Sequence, residues 1–209
     1  MSVKKVVVGM IAVGSLALGA CGSADAGDAG TLKLADKDTA DDFHPASGYG
    51  QAGISPIYDG LLRPDPASGP DRIPDLVPAL AAEEPEPNAD ASEWTVKLRG
   101  GVTFHDGTAF DAADVKATYD AARDASTGSK VSMHYDLIDE VRVVDDSTVA
   151  FELAYPYGGF ASRLTLPIAP SELVDEGTLG EKPVGTGPYE VTSEEGTTVY
   201  PCFDLLFWE

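Results

Sequence analysis

Apolar positions change period several times along the chain. Val6 to Leu18 is an apolar run in which only Gly9, Gly14 and Ser15 intervene. Thr31 to Ala35 alternates, which predicts a short strand. Residues 51–62 place Ile54, Ile57, Tyr58, Leu61 and Leu62 at helical spacing. A helix is expected there, with Pro56 tolerable only in its first turn. Residues 63–74 carry four prolines and read as loop. Leu76 to Leu80 reads as strand or turn, and Glu83 to Asp90 as a solvated acidic connection.

The middle of the chain has the clearest pattern. Trp94, Val96 and Leu98 alternate with Thr95, Lys97 and Arg99, Gly100-Gly101 signals a turn, and Val102 to Phe104 resumes the alternation. A β-hairpin is predicted. His105-Asp106-Gly107-Thr108 is a second tight turn. Asp111 is placed to cap a helix, with Asp114 at the capping-box position and Val115, Thr118, Tyr119 and Ala122 on the buried face. Gly128 ends that region. Leu137 to Val144 and Thr148 to Leu153 predict two strands around Asp145-Asp146-Ser147.

Composition narrows the class. The 209 residues include 35 acidic and 14 basic side chains, a formal net charge of −21, with 43% hydrophobic residues. That balance suits a folded soluble chain. It argues against nucleic acid, which needs clustered Lys and Arg.

The N-terminus reads as an export signal over residues 1–20. Lys4 and Lys5 precede the apolar run, whose 13 residues fall short of the roughly 20 that span a bilayer. Leu18-Gly19-Ala20-Cys21 resembles the lipobox of bacterial lipoproteins, which implies a diacylglycerol on Cys21. Residues 21–30, built from Gly, Ala, Ser and Asp after Cys21, are expected to form a flexible tether. With Cys21 acylated, Cys202 has no partner for an internal disulfide. The expected location is the cell membrane, lipid-anchored on the extracytoplasmic face.

Four words in order carry a second resemblance: Tyr58-Asp59-Gly60-Leu61-Leu62-Arg63; Arg72 to Ala81; Trp94 to Val115; and Pro183-Val184-Gly185-Thr186-Gly187-Pro188-Tyr189. Together they resemble the extracytoplasmic substrate-binding proteins of ABC importers, family 5, which handle peptides, nickel complexes and related solutes. The resemblance implies an α+β fold with a mixed sheet, an incomplete first lobe of a periplasmic-binding-protein type II fold over residues 31–193. It implies capture of oligopeptides or dipeptides, permease subunits as partners, and a monomer. In the family two lobes close over the ligand and the permease reads the closed form.

The resemblance also suggests site residues. Ser47, Gly48 and Tyr49 lie in the loop that faces the ligand cleft in relatives, although by themselves they read equally as a surface turn. Met133, His134 and Tyr135 fall in a part that lines the cleft in relatives, with plain packing or exposure the alternative. Gly48-Tyr49-Gly50-Gln51-Ala52-Gly53 matches the dinucleotide fingerprint but has no strand before it. His44, His105 and His134 form no metal-ligand pair, and Asp36, Asp38, Asp41 and Asp42 lack the glycine and glutamate of a calcium loop. No nucleophile elbow or Cys–His pair is present, so no enzyme, metal or cofactor is expected. Residues 194–209 match nothing expected at that place in the family. They suggest an early stop, with a non-binding, lipid-anchored remnant as the alternative function and weak or no ligand binding expected of one lobe.

Overall fold

A computed structural model describes residues 43–69, 71–180, 183–194 and 197–199. The readings for the signal, Cys21, the tether, the strand at Thr31–Ala35, the acidic loop after it and the end of the tail lie outside the described residues. All described residues belong to one compact unit, Asp38–Glu209.

The centre is a four-stranded sheet in the order β3-β4-β6-β5, built from Glu86–Pro87, Glu93–Lys97, Thr148–Leu153 and Ile138–Asp145. Two small hairpins flank it: β1 (Leu62–Pro64) with β2 (Leu76–Pro78), and β7 (Thr192–Glu194) with β8 (Thr197–Val199). The α+β architecture is as expected. Where the resemblance implies a mixed sheet, every pairing among the described strands is antiparallel.

Alternation decides which face is covered. Trp94 and Val96 of β4 lie opposite Phe151 and Val149 of β6, all four buried. Helix α1 (Ala112–Arg123) lays Val115, Thr118, Tyr119 and Ala122 on this face, as its spacing predicts. The capping box is formed: Asp111 Oδ1 accepts from Ala113 N at 2.7 Å, and Asp114 Oδ2 accepts from Asp111 N at 2.9 Å. Such a cap is worth about 1 kcal/mol. A chain of rings runs through the core. Tyr119 meets Phe151 at 4.9 Å and Tyr135 at 5.6 Å, both edge-on, and Phe160 packs on Phe151 and Trp94. The β5–β6 hairpin forms where predicted. β5 is the outer strand, and its two register shifts and exposed charges blunt that edge.

Two expectations are corrected. Residues 51–62 form no helix. Gly50 and Gly53 hold φ of 68° and 74°, outside the helical region, and Ile54 is 75% exposed rather than part of a buried stripe. Residues 56–61 form neither a regular helix nor a strand, and their carbonyls serve other segments. Pro56 O accepts from Tyr189 N, Ile57 O from Gly187 N, Asp59 O from Ile168 N, Gly60 O from Leu80 N, and Leu61 O from Ala79 N and Ala81 N. A helix would have needed those carbonyls internally. Ile57, Tyr58, Leu61 and Leu62 are buried because neighbours surround this irregular segment on several sides.

The second correction concerns the hairpin expected over Trp94–Phe104. The turn at Gly100-Gly101 exists, but the chain beyond it does not return onto β4. Residues 102–110 close on themselves through a Thr103–Ala109 bridge and a Phe110 N to Val102 O hydrogen bond. Alternation fixes which side chains point inward and leaves the partner strand open. β6, with buried Val149 and Phe151, takes that place.

Candidate functional site

The fold brings the two candidate segments together beyond the C-terminal end of α1. Pro45–Ser47 is a single 3-10 turn, begun by His44, whose Nδ1 accepts from Ala46 N at 3.0 Å. Gly48 ends the turn in the left-handed region, φ 94°. Lys130 N donates to Ala46 O at 3.0 Å, and Ser129 Oγ lies 3.2 Å from the same carbonyl. The Ser129 hydroxyl donates to Ala122 O at 2.6 Å, tying the junction to the last turn of α1. A Cβ on Gly48 would stand 3.2 Å from Val131 Cγ1. The turn therefore sits directly against the start of α2 (Ser132–Tyr135).

The six candidates then diverge. Ser47 lines a groove of about 930 Å³ beside α1, together with Lys116, Asp120, Asp124 and Asp175. Gly48 faces Val131, and Tyr49 turns inward, meeting Phe43 and Tyr58 edge-on at 5.2 and 6.1 Å. Met133 is 86% exposed. His134 and Tyr135 line a second hollow of about 360 Å³ with Gln51, Ser162, Arg163 and Thr165.

This second hollow is held from three sides. Thr165 Oγ1 donates to Gln51 O at 2.9 Å across 114 residues of sequence. Tyr119 OH donates to Arg163 O at 3.0 Å, fixing the 3-10 turn Phe160–Arg163 on α1. Tyr135 is buried against Tyr119. Burial pushes the Tyr135 phenol up to about 12, while hydrogen bonding from Gln51 and the nearby Arg163 charge oppose that rise. The hydroxyl therefore stays protonated at neutral pH. The hollow combines an aromatic floor with an amide, an imidazole, a guanidinium and a hydroxyl, the mixture that small-molecule sites use. Gln51, Arg163 and Thr165 carry no signal in the sequence, because only tertiary contact places them beside His134.

A third feature explains the glycine-rich words. Asp59 Oδ2 accepts from Thr186 Oγ1 at 3.4 Å. His105 Nδ1 accepts from Gly185 N at 3.3 Å, so Nε2 is the protonated nitrogen, donating to Gly187 O at 2.8 Å. His105 N donates to Gly185 O at 3.0 Å. Burial raises the Asp59 carboxyl above its usual range, opposed by Arg63, Thr186, His105 and Arg99. Asp59, Arg63 and Arg99 enclose a void of about 20 Å³, room for a single water. This junction is structural: it ties three of the four signature words into one knot.

Among the described residues no three His, Cys, Asp or Glu side chains gather as metal ligands, and no helix is long and apolar enough to cross a membrane.

The chain is similar to known proteins. The profile described as "Bacterial extracellular solute-binding proteins, family 5 Middle" matches residues 75–200. Protein XP55 of Streptomyces lividans is 40% identical over 157 residues, which is 73% of this chain and 28% of that protein. The glutathione-binding protein GsiB of Pectobacterium atrosepticum is 38% identical over 138 residues, 64% of this chain and 26% of the relative. The structure of NikZ from Campylobacter jejuni in complex with Ni(L-His) superposes with a TM-score of 0.69 at 24% identity, covering 86% of this chain and 36% of NikZ. The chain thus spans less than a third of the curated relatives named here. GsiB is named a glutathione-binding protein. The matched profile covers more than half of the sequence, and three of the four signature words meet in one structural knot: the chain belongs to the bacterial extracellular solute-binding proteins of family 5.

Proposed function

We propose that the chain supplies one wall of the solute-binding cleft of an ABC importer's capture protein, lipid-anchored through Cys21, that takes peptides or related small solutes. The observation that carries this reading is the hollow between Gln51, His134 and Arg163, on a scaffold whose family is defined by solute binding. GsiB, named for glutathione, and NikZ, solved with Ni(L-His), support small polar solutes as the class. On this reading His134 and Tyr135 touch the ligand, Met133 lies exposed beside them, and Ser47, Gly48 and Tyr49 shape the neighbouring turn. No covalent step, metal or cofactor belongs to the proposed function, and the capture protein works as a monomer beside its permease.

A single wall leaves much of a ligand in water, so the chain alone should bind peptides only at millimolar concentration. Proton–nitrogen correlation spectra recorded during a trialanine titration test this. Saturable shifts should cluster at residues 47–52, 131–135 and 162–165. Shifts scattered over the surface, or none at all, would replace the proposal with that of a non-binding, lipid-anchored fragment.

A further inference from the structure

The hollow beside α2 contains a cation without a counter-charge. Arg163 is half-buried and lines it, and its neighbours there, Gln51, His134, Tyr135, Ser162 and Thr165, include no carboxylate. Among the described residues Arg163 takes part in no ion pair. Its guanidinium makes one hydrogen-bond contact, NH1 to His134 Nδ1 at 3.4 Å, and its buried Nε–H has no acceptor. A guanidinium has five donors. The buried Nε–H is the donor left unmatched, which is unfavourable unless something accepts it.

The setting sharpens the contrast. The chain carries a net charge of −21, and the larger groove beside α1 is lined by Asp120, Asp124 and Asp175. Arg142, by comparison, is held by Glu93 and Glu152, and Arg123 by Asp120. Arg63 also has an unmatched Nε–H, but it faces Asp59 across a void that holds one water at most. Arg163 alone in this comparison combines an unmatched guanidinium with space for a ligand group.

We infer that Arg163 reads a carboxylate of the bound solute, with His134 beside it and the Tyr135 ring as the floor. A planar guanidinium matches the two oxygens of a carboxylate. A phosphate dianion would call for more than one cation on so acidic a protein. The position of Arg163 is fixed by its backbone, since Tyr119 OH holds its carbonyl and Thr165 holds the Gln51 loop opposite. This rests on the solute-binding reading for the identity of the ligand, but the subsite can be tested without it.

The test follows the Arg163 Nε–H resonance, identified by its loss in Arg163→Lys, while acetate, phosphate, chloride or acetamide is added at constant ionic strength. A saturable shift with acetate, larger than with phosphate and absent with chloride and acetamide, is expected. An acetate response no greater than that of chloride would overturn the inference, and a stronger phosphate response would replace it with a phosphate site. A second arm compares trialanine with trialanine amide. The free acid should bind more tightly by about tenfold or more, and Arg163→Gln should erase the difference while Arg163→Lys keeps part of it. Equal binding of acid and amide would sink the carboxylate inference and leave solute binding standing. Failure of both peptides, with the acetate response intact, would sink the binding reading and leave the subsite standing.

Discussion

Asp59 stands at the point where chemistry and packing meet. Its carboxyl is buried among Arg63, Arg99, His105 and Thr186, and burial outweighs their attraction, so it holds its proton more tightly than the usual 3.8. The folded state therefore binds a proton that the unfolded chain at the same pH releases. Ionisation of Asp59 costs stability as pH rises through its folded value, and the cost vanishes below 3.8. Asp59→Asn removes this dependence and keeps an oxygen for Thr186. Urea midpoints of parent and variant should converge or cross in favour of the parent as pH falls from neutral toward 3.8. A difference that stays constant over that range would show that the carboxylate is solvated.

The same residue marks a limit of sequence reading. Tyr58-Asp59-Gly60-Leu61 is recognisable as a word, but nothing in it shows that Asp59 faces Thr186, 127 residues away.

At the scale of elements, local and non-local control separate cleanly. The start and buried face of helix α1 were legible, since its cap, its capping-box partner and Val115, Thr118, Tyr119 and Ala122 all lie within 12 residues of one another, where spacing alone determines geometry; its end at Arg123 was not, because Gly128 closes a separate 3-10 turn. The β5–β6 hairpin was legible for the same reason. The segment at residues 51–62 was not, because its apolar spacing fits a helix while its carbonyls are claimed by chain more than 15 residues away. Its partner in that competition is the Gly185-Thr186-Gly187 turn, and close approach explains the glycines. A Cβ on Gly187 would stand 2.5 Å from Ile57 C and 2.7 Å from Pro56 O. Both are backbone atoms, so neither can rotate away. Gly187→Ala should cost about 1–3 kcal/mol. Gly100→Ala, whose Cβ would meet nothing within 4 Å, should leave stability near the parent's. Denaturant unfolding of the two variants checks this. Equal midpoints would mean that the 56–60 segment and the Gly-Thr-Gly turn are not packed together.

For the whole molecule, charge and anchor belong together. A chain of net charge −21 is repelled by anionic headgroups, so electrostatics cannot hold it at a bacterial membrane. An acyl anchor on Cys21 would do so through buried hydrocarbon. Cys21→Ser should move the protein from the membrane fraction to the soluble fraction and abolish palmitate incorporation. Labelling that survives the substitution would remove Cys21 as the anchor. The family, the α+β class, the cap and buried face of α1 and the β5–β6 hairpin were determined by the sequence by itself, since each depends on residue order and short-range spacing. The partner of β4, the non-helical course of residues 56–61, the contacts of His105 with the Gly185–Gly187 turn and the hollow that sets Arg163 beside His134 were decided only by tertiary structure. Each requires two segments far apart in sequence to compete for the same hydrogen bonds or the same apolar face. Hydrophobic periodicity specifies that a face is buried, and it carries no information about what buries it.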